Sequence, residues 1–188
     1  MNQTLWYIVG GLAVIVLYSI AMFNGLISRR NQAREAWATV ETQLKRRHDL
    51  IPNLVAAVKG AAAHEKSTLD AVVKARNAAA GDHDAGEASV LENNLAGALR
   101  HIFALSESYP ALRANENFIE LQHELADTEN KIQASRQFYN TVVMALNTSI
   151  EQFPSNIVAG MFGIRREKLF ELDKTERAAA EKAPKIGF

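Results

Sequence analysis

QLKRRHDLIPNLV, residues 43–55, decides whether the long apolar periodicity around it is one helix or two. Lys45, Arg46, Arg47 and His48 stand in a row before Pro52. A proline inside a helix removes one backbone bond and presses its ring on the carbonyl four residues back, here that of His48. Ile51 would be a poor N-cap for a fresh start, so the reading is a continuous helix kinked at Pro52.

Outward from this stretch, apolar residues recur every seven positions: Trp37, Leu44, Ile51, Val58 and, after a skipped beat at Glu65, Val72. Val40, Leu54, Val55, Ala62, Leu69 and Val73 widen the stripe to one helix face, which predicts an amphipathic helix from Arg34 to Ala79. Lys45, Arg46 and His48 fall between stripe residues and are expected mostly outside the core.

The segment from Gly81 to Gly86 reads as a turn. Ser89-x-x-Glu92 fits a capping box, followed by an apolar face from Leu91 to Leu105 that Tyr109-Pro110 stops. Asn115 or Asn117 caps a third helix with the clearest sevenfold spacing, Phe118, Leu125, Ile132, Tyr139, Leu146 and Phe153, ending at Pro154. The residues from Ser155 to Ile164 form a short helix, capped by Ser155, that folds back over the bundle end; the alternative is an interfacial or partner-binding segment. Beyond Phe170 the chain is charged and alanine-rich and reads as a frayed tail.

Upstream, the pattern changes. Every acidic and basic side chain lies at or beyond Arg29. Leu5 to Ile27 would measure about 34 Å as a helix and so span a hydrocarbon core of about 30 Å. Trp6 and Tyr7 mark one interface, and Arg29, Arg30 and Arg34 follow the other end, which by the positive-inside tendency is cytoplasmic. Ser19-Ile20-Ala21 offers a signal-peptidase pattern, but MNQT carries no positive side chain and the apolar run continues to Ile27. Ala21-x-x-x-Gly25, Gly10 and Gly11 would let anchors pack in a homo-oligomer, with lipid-facing flexibility as the simpler alternative.

Composition fits this all-α class. The 188 residues suit one anchor and one folded unit, and Lys plus Arg balance Asp plus Glu at 21 each, so no global field gathers nucleic acid. The absence of cysteine removes disulfides, thiol nucleophiles and zinc–cysteine sites.

Several of these residues carry a resemblance. Asn31 with Glu35-Ala36-Trp37, then QLKRRHDLIPNLV, Val58-Lys59-Gly60, His64-Glu65, Ala75-Arg76, Tyr109-Pro110, ANENF at 114–118, Glu129-Asn130, Tyr139-Asn140 and FPSNIVAGMFG at 153–163 resemble the LemA family. The resemblance runs in order from Arg29 to Phe170, with Ala61 where the family often has an aromatic. It implies a bacterial protein with one N-terminal membrane helix, its N-terminus outside and a long-helix bundle in the cytoplasm. It brings no reaction, ligand or catalytic residue.

No constellation in the chain calls for catalysis. His48 and Asp49 are helix neighbours about 100° apart and do not face each other. Glu120-Leu121-Gln122-His123 has the Glu-x-x-His spacing of di-iron bundles but no second copy, and His64-Glu65 lacks a zincin's second histidine. Lys45-Arg46-Arg47 is a weak phosphate grip without an aromatic platform, and it is expected instead to pair with Glu124, Asp127 or Glu129 and fix register.

The sequence therefore predicts an all-α protein: a single N-terminal transmembrane helix (1–28) in membrane lipid through residues 5–27, an elongated antiparallel bundle of long helices (29–170) and a charged tail (171–188). It reads as a non-enzymatic scaffold of the bacterial inner membrane, single-pass, with no cofactor, no metal and no nucleic acid. It is compatible with a homo-oligomer, through the anchor's small residues or the bundle's outer face, and no sequence feature fixes the number. The alternative is an adaptor for an envelope protein such as a protease or transporter.

Overall fold

The structure, a computed structural model, describes residues 2–62 and 64–171. Its regular elements are all helices: α1 (Asn2–Ala61), α2 (Lys66–Ala79), α3 (Ala85–Ser108), α4 (Pro110–Arg113), α5 (Glu116–Glu151) and α6 (Ser155–Met161). The tail read from 171–188 lies, apart from Glu171, outside the described residues.

α1 joins the anchor and the first rod into one helix that passes through Pro52. Pro52 lies on the exposed side, so the continuous reading holds there. The helix nevertheless stops at Ala61 and restarts as α2 at Lys66, short of the Ala79 end expected for a single element. Gly60 weakens the last turn, and the next stripe position is Glu65, a charge where the core needs an apolar side chain. The chain turns instead, with the Glu65 N–H bonded to the Ala62 carbonyl at 3.1 Å, and α2 resumes the buried face with Leu69 and Val72.

α3 also begins earlier than the capping-box reading had it. Its N-cap is Asp84, whose Oδ1 accepts from the N–H groups of Gly86 and Glu87 at 3.0 and 3.1 Å. Ser89 lies inside the helix and donates to the Gly86 carbonyl, while Glu92 is buried away from the terminus. α5 starts as expected, with Asn115 Oδ1 accepting the Phe118 N–H at 3.2 Å. It ends at Glu151, so the sevenfold series stops before Phe153, which is 80% exposed.

Contacts gather the described residues into two compact units. In the first, residues 2–38 with 138–167, Trp37 meets the Tyr139 ring at 5.2 Å between centroids, and Leu26 belongs to a cluster that Ile150 packs against. Moving back along α1 thus moves the contact forward along α5, so the two run antiparallel. α6 closes the cluster with Val158 and Ala159. Ser155 is its first residue and not its cap; the hydroxyl donates to the Gln152 carbonyl at 2.9 Å. The helix ends in a Schellman-type turn: Gly163 takes φ 64°, the Ile164 N–H reaches the Ala159 carbonyl at 2.9 Å, and Ile164 is buried beside it. Beyond it, the Asn147 amide pairs with the Glu167 backbone through two bonds of 3.0 Å, as a neighbouring strand would.

The second unit holds residues 39–137 and 168–171. Its core includes Ile51, Leu54 and Val58 of α1, Leu69 and Val72 of α2, Leu95, Leu99 and Ile102 of α3, and Phe118 and Leu125 of α5. The Phe170 ring is buried under the Arg136 guanidinium, 4.3 Å from its centroid. Lys168 reaches the α3 cap and bonds Asp84 at 2.8 Å, which holds that carboxyl below its usual range.

Residues 3–18 of α1 are all exposed, and the apolar stretch they open is long and apolar enough to cross a membrane. Truncating a side chain of the second unit's core should cost far more than truncating an outward one. Leu95→Ala or Ile102→Ala should lose ~2–5 kcal/mol, whereas Val90→Ala on the exposed side of α3 should stay within about 0.5 kcal/mol. Urea unfolding of the detergent-solubilised chain, followed by helical circular dichroism, measures both.

Candidate functional site

The buried stripe of α1 steps through Val40, Leu44, Arg47, Ile51, Leu54 and Val58, alternating intervals of four and three. Arg47 therefore occupies a core position, 3% exposed. Its neighbour His48 is 8% exposed, which corrects the expectation that His48 lies mostly outside the core; Lys45 and Arg46 do lie outside. On α3 the stripe runs through Ala88, Ser89, Glu92, Leu95 and Leu99, and Glu92 is as buried as Arg47.

These side chains meet in one cluster. Arg47 donates one terminal NH2 group to Glu129 Oε2 at 2.6 Å and the other to Glu92 Oε2, with the Glu92 carbonyl 3.5 Å from that second group. His48 Nε2 is 2.8 Å from the remaining Glu92 oxygen. Both Glu92 oxygens are thereby engaged. Among the described residues Arg47 Nε has no partner. One guanidinium thus faces two carboxylates.

Burial pushes the Glu92 carboxyl up, but the His48 bond, the Arg47 charge and the Arg47 bond together outweigh it and hold the group below its usual range. Buried ion pairs rarely add net stability over apolar packing, but stripping one partner leaves an uncompensated charge. The cluster therefore ties α1, α3 and α5 together at one level.

Two more polar contacts tie the same region together. The His48 carbonyl, deprived of its helical donor because residue 52 is proline, lies 3.4 Å from Arg76 Nε of α2. Tyr109 donates its hydroxyl to Glu65 Oε1 at 3.0 Å, joining the two interhelical turns, and this bond raises the phenol's pKa.

Of the three carboxylates expected to pair with the basic run, Glu129 does so. Asp127 bonds Lys131 at 2.8 Å, with Arg46 adding a favourable charge that also lowers the Asp127 carboxyl. Glu124 supplies its carbonyl to the Thr128 hydroxyl. Asp49, Glu120, His123 and His64 are all exposed, and no three metal-ligating side chains gather among the described residues. Between α2 and α3 lies an open groove of about 490 Å³ lined by Ser67, Thr68, Asn93, Asn94, Arg100 and His101 among others. It holds no paired acid and base.

Sequence reasoning missed Glu92, which it spent on a capping box. It missed the depth of Arg47 as well, although the residue stands seven after Val40 and seven before Leu54. An arginine interrupting an apolar series in that way is a signal for a buried ion layer.

The sequence model described as the LemA family matches residues 36–188, a span that includes Arg47, His48, Arg76, Glu92 and Glu129. Protein LemA of Metamycoplasma hominis is 24% identical over 159 residues, covering 82% of this chain and 71% of the relative. Magnetosome protein MamQ of Magnetospirillum gryphiswaldense is 23% identical over 192 residues, 85% of this chain and 71% of the relative. Magnetosome protein MamQ 2 of Paramagnetospirillum magneticum is 26% identical over 92 residues, 48% of this chain and 34% of the relative.

Glu92→Leu alone should destabilise by ~3–5 kcal/mol, and adding Arg47→Met should recover a large part of that loss, because the charge then left without a partner, Glu129, is 38% exposed and stays solvated. Because the Glu92 carboxyl is depressed in the fold, its contribution is complete above its ordinary value of 4.5 and is lost as pH falls through the lower folded value. Denaturant midpoints measured across the acid range should fall less steeply for Glu92→Gln than for the parent chain.

Proposed function

Because the chain belongs to the LemA family, we propose that it is a non-enzymatic, membrane-anchored helical scaffold or assembly protein of the bacterial inner membrane. The observation that carries this reading is α1: the uncharged, fully exposed stretch and the Arg47 layer belong to one uninterrupted helix. An anchor that runs into the first bundle helix without a loop suits a helical module held at a membrane. Arg29, Arg30 and Arg34 follow the apolar run, and by the positive-inside tendency they support a cytoplasmic bundle with the N-terminus outside.

The buried titratable groups satisfy one another instead of converging on a cavity, which favours a packing role over turnover. The names of these relatives state no reaction. In the scaffold reading, self-association runs through the anchor's small residues or the outer faces of the bundle. At Gly10, Gly11 and Gly25 an added Cβ would meet only open space. The open polar groove between α2 and α3 favours a second reading, an adaptor that holds another envelope protein such as a protease or transporter.

Light scattering on the detergent-solubilised chain separates the two. A large, uniform self-assembly supports the scaffold; a monomer that copurifies at fixed stoichiometry with a different protein supports the adaptor. Topology has its own readout, because the chain has no cysteine. A membrane-impermeant maleimide should label Asn2→Cys in intact spheroplasts and Asp82→Cys only after lysis, and the reverse pattern would overturn the orientation.

A further inference from the structure

α6 hides one face and shows another. Val158 and Ala159 pack with Leu26, and Ile164 completes that cluster. The same segment carries large apolar groups left open: Phe153 is 80% exposed, Ile157 54%, Met161 76% and Phe162 59%. Exposed apolar side chains gathered on so short a segment need an apolar partner.

The position of the segment along α1 indicates which partner. The Phe162 ring lies 4.4 Å from that of Phe23, and Phe23 belongs to the uncharged stretch of α1. Phe23 precedes the first charged residue, Arg29, by about 9 Å of helix. Phe162 therefore reaches back beyond the first charge, to the depth at which an anchored helix passes through the headgroup–acyl boundary. The cationic residues agree. Ile27 and Ile164 pack into the same cluster, and each is soon followed by an arginine pair, Arg29-Arg30 and Arg165-Arg166. Both segments thus leave one apolar tip through a basic pair, Arg166 also holding Glu151 at 2.8 Å, and cations next to an apolar tip favour acyl chains at the tip and anionic headgroups beside it.

We infer that Phe153 to Phe162 is a second membrane-contacting element, which lies in the bilayer interface beside the anchor with its open apolar face toward lipid. This rests on the anchor reading above. The occupant is the bilayer itself, because the exposed face is continuous through Phe162 and Phe23 with the surface that the anchor turns to lipid.

Tryptophan quenching in vesicles tests it. The full chain with Trp6→Phe, Trp37→Phe and Met161→Trp is reconstituted in phosphatidylcholine–phosphatidylglycerol vesicles whose phosphatidylcholine is brominated high on the acyl chains. A parallel chain with Trp37→Phe alone keeps Trp6 as a reporter of the anchor. The expected result is blue-shifted emission at 161, quenched as strongly as that of Trp6. Quenching at Trp6 with red-shifted, unquenched emission at 161 overturns the inference and leaves the anchor standing. Blue-shifted but unquenched emission at 161 means that protein, such as a second copy, covers the face, and overturns it too. Loss of quenching at Trp6 removes both readings. Ile157→Trp in the same background repeats the test at a second exposed position, and equal helical content across the variants excludes misfolding as the cause.

Discussion

A guanidinium cannot be left alone in an apolar interface, and Arg47 is placed in one. Its position on the α1 stripe requires carboxylates at the same level on the packed helices, and α3 and α5 provide Glu92 and Glu129. Shifting either helix by one turn would strand the charge, whereas shifting a purely apolar layer would often find another acceptable fit. Sequence pattern alone makes long heptad helices prone to slip in register. Here one layer of opposite charges restricts that freedom, and His48 takes the second oxygen of Glu92.

Much of the architecture was legible because helices of this length write their packing into a period. The sevenfold spacing in α1 and α5 marked Leu44, Ile51, Val58, Phe118, Leu125, Ile132, Tyr139 and Leu146, and the structure buries every one of them. The skipped beat at Glu65 was visible too, but periodicity does not say whether a charge on the stripe will be tolerated or will end the helix. What decides is whether a partner is at hand. Arg47 finds the buried Glu92 and the half-buried Glu129 and the helix continues, while Glu65 bonds the Tyr109 hydroxyl, and the chain turns.

The candidate site was harder to read, for a related reason. Ser89-x-x-Glu92 satisfies a local rule, but the local rule lost to a distant charge, which no window around Glu92 contains. Asp84, seven residues before the second apolar face opens at Leu91, made the better cap. Phe153 shows the opposite limit: it kept the period after the helix carrying it had ended, and a pattern without a helix beneath it places nothing. The family resemblance covered these positions without ranking them, since it supplies no roles.

Pro52 usually reads as damage to a helix. In this chain it leaves the His48 carbonyl without an internal donor, and the side chain of Arg76 comes within reach of that vacant oxygen. The omission works as an address: a neighbouring element learns where to lie from a hydrogen that one residue does not have. An alanine at 52 would make a more regular rod and a less informative one, since a fully self-bonded backbone offers the next helix nothing to recognise.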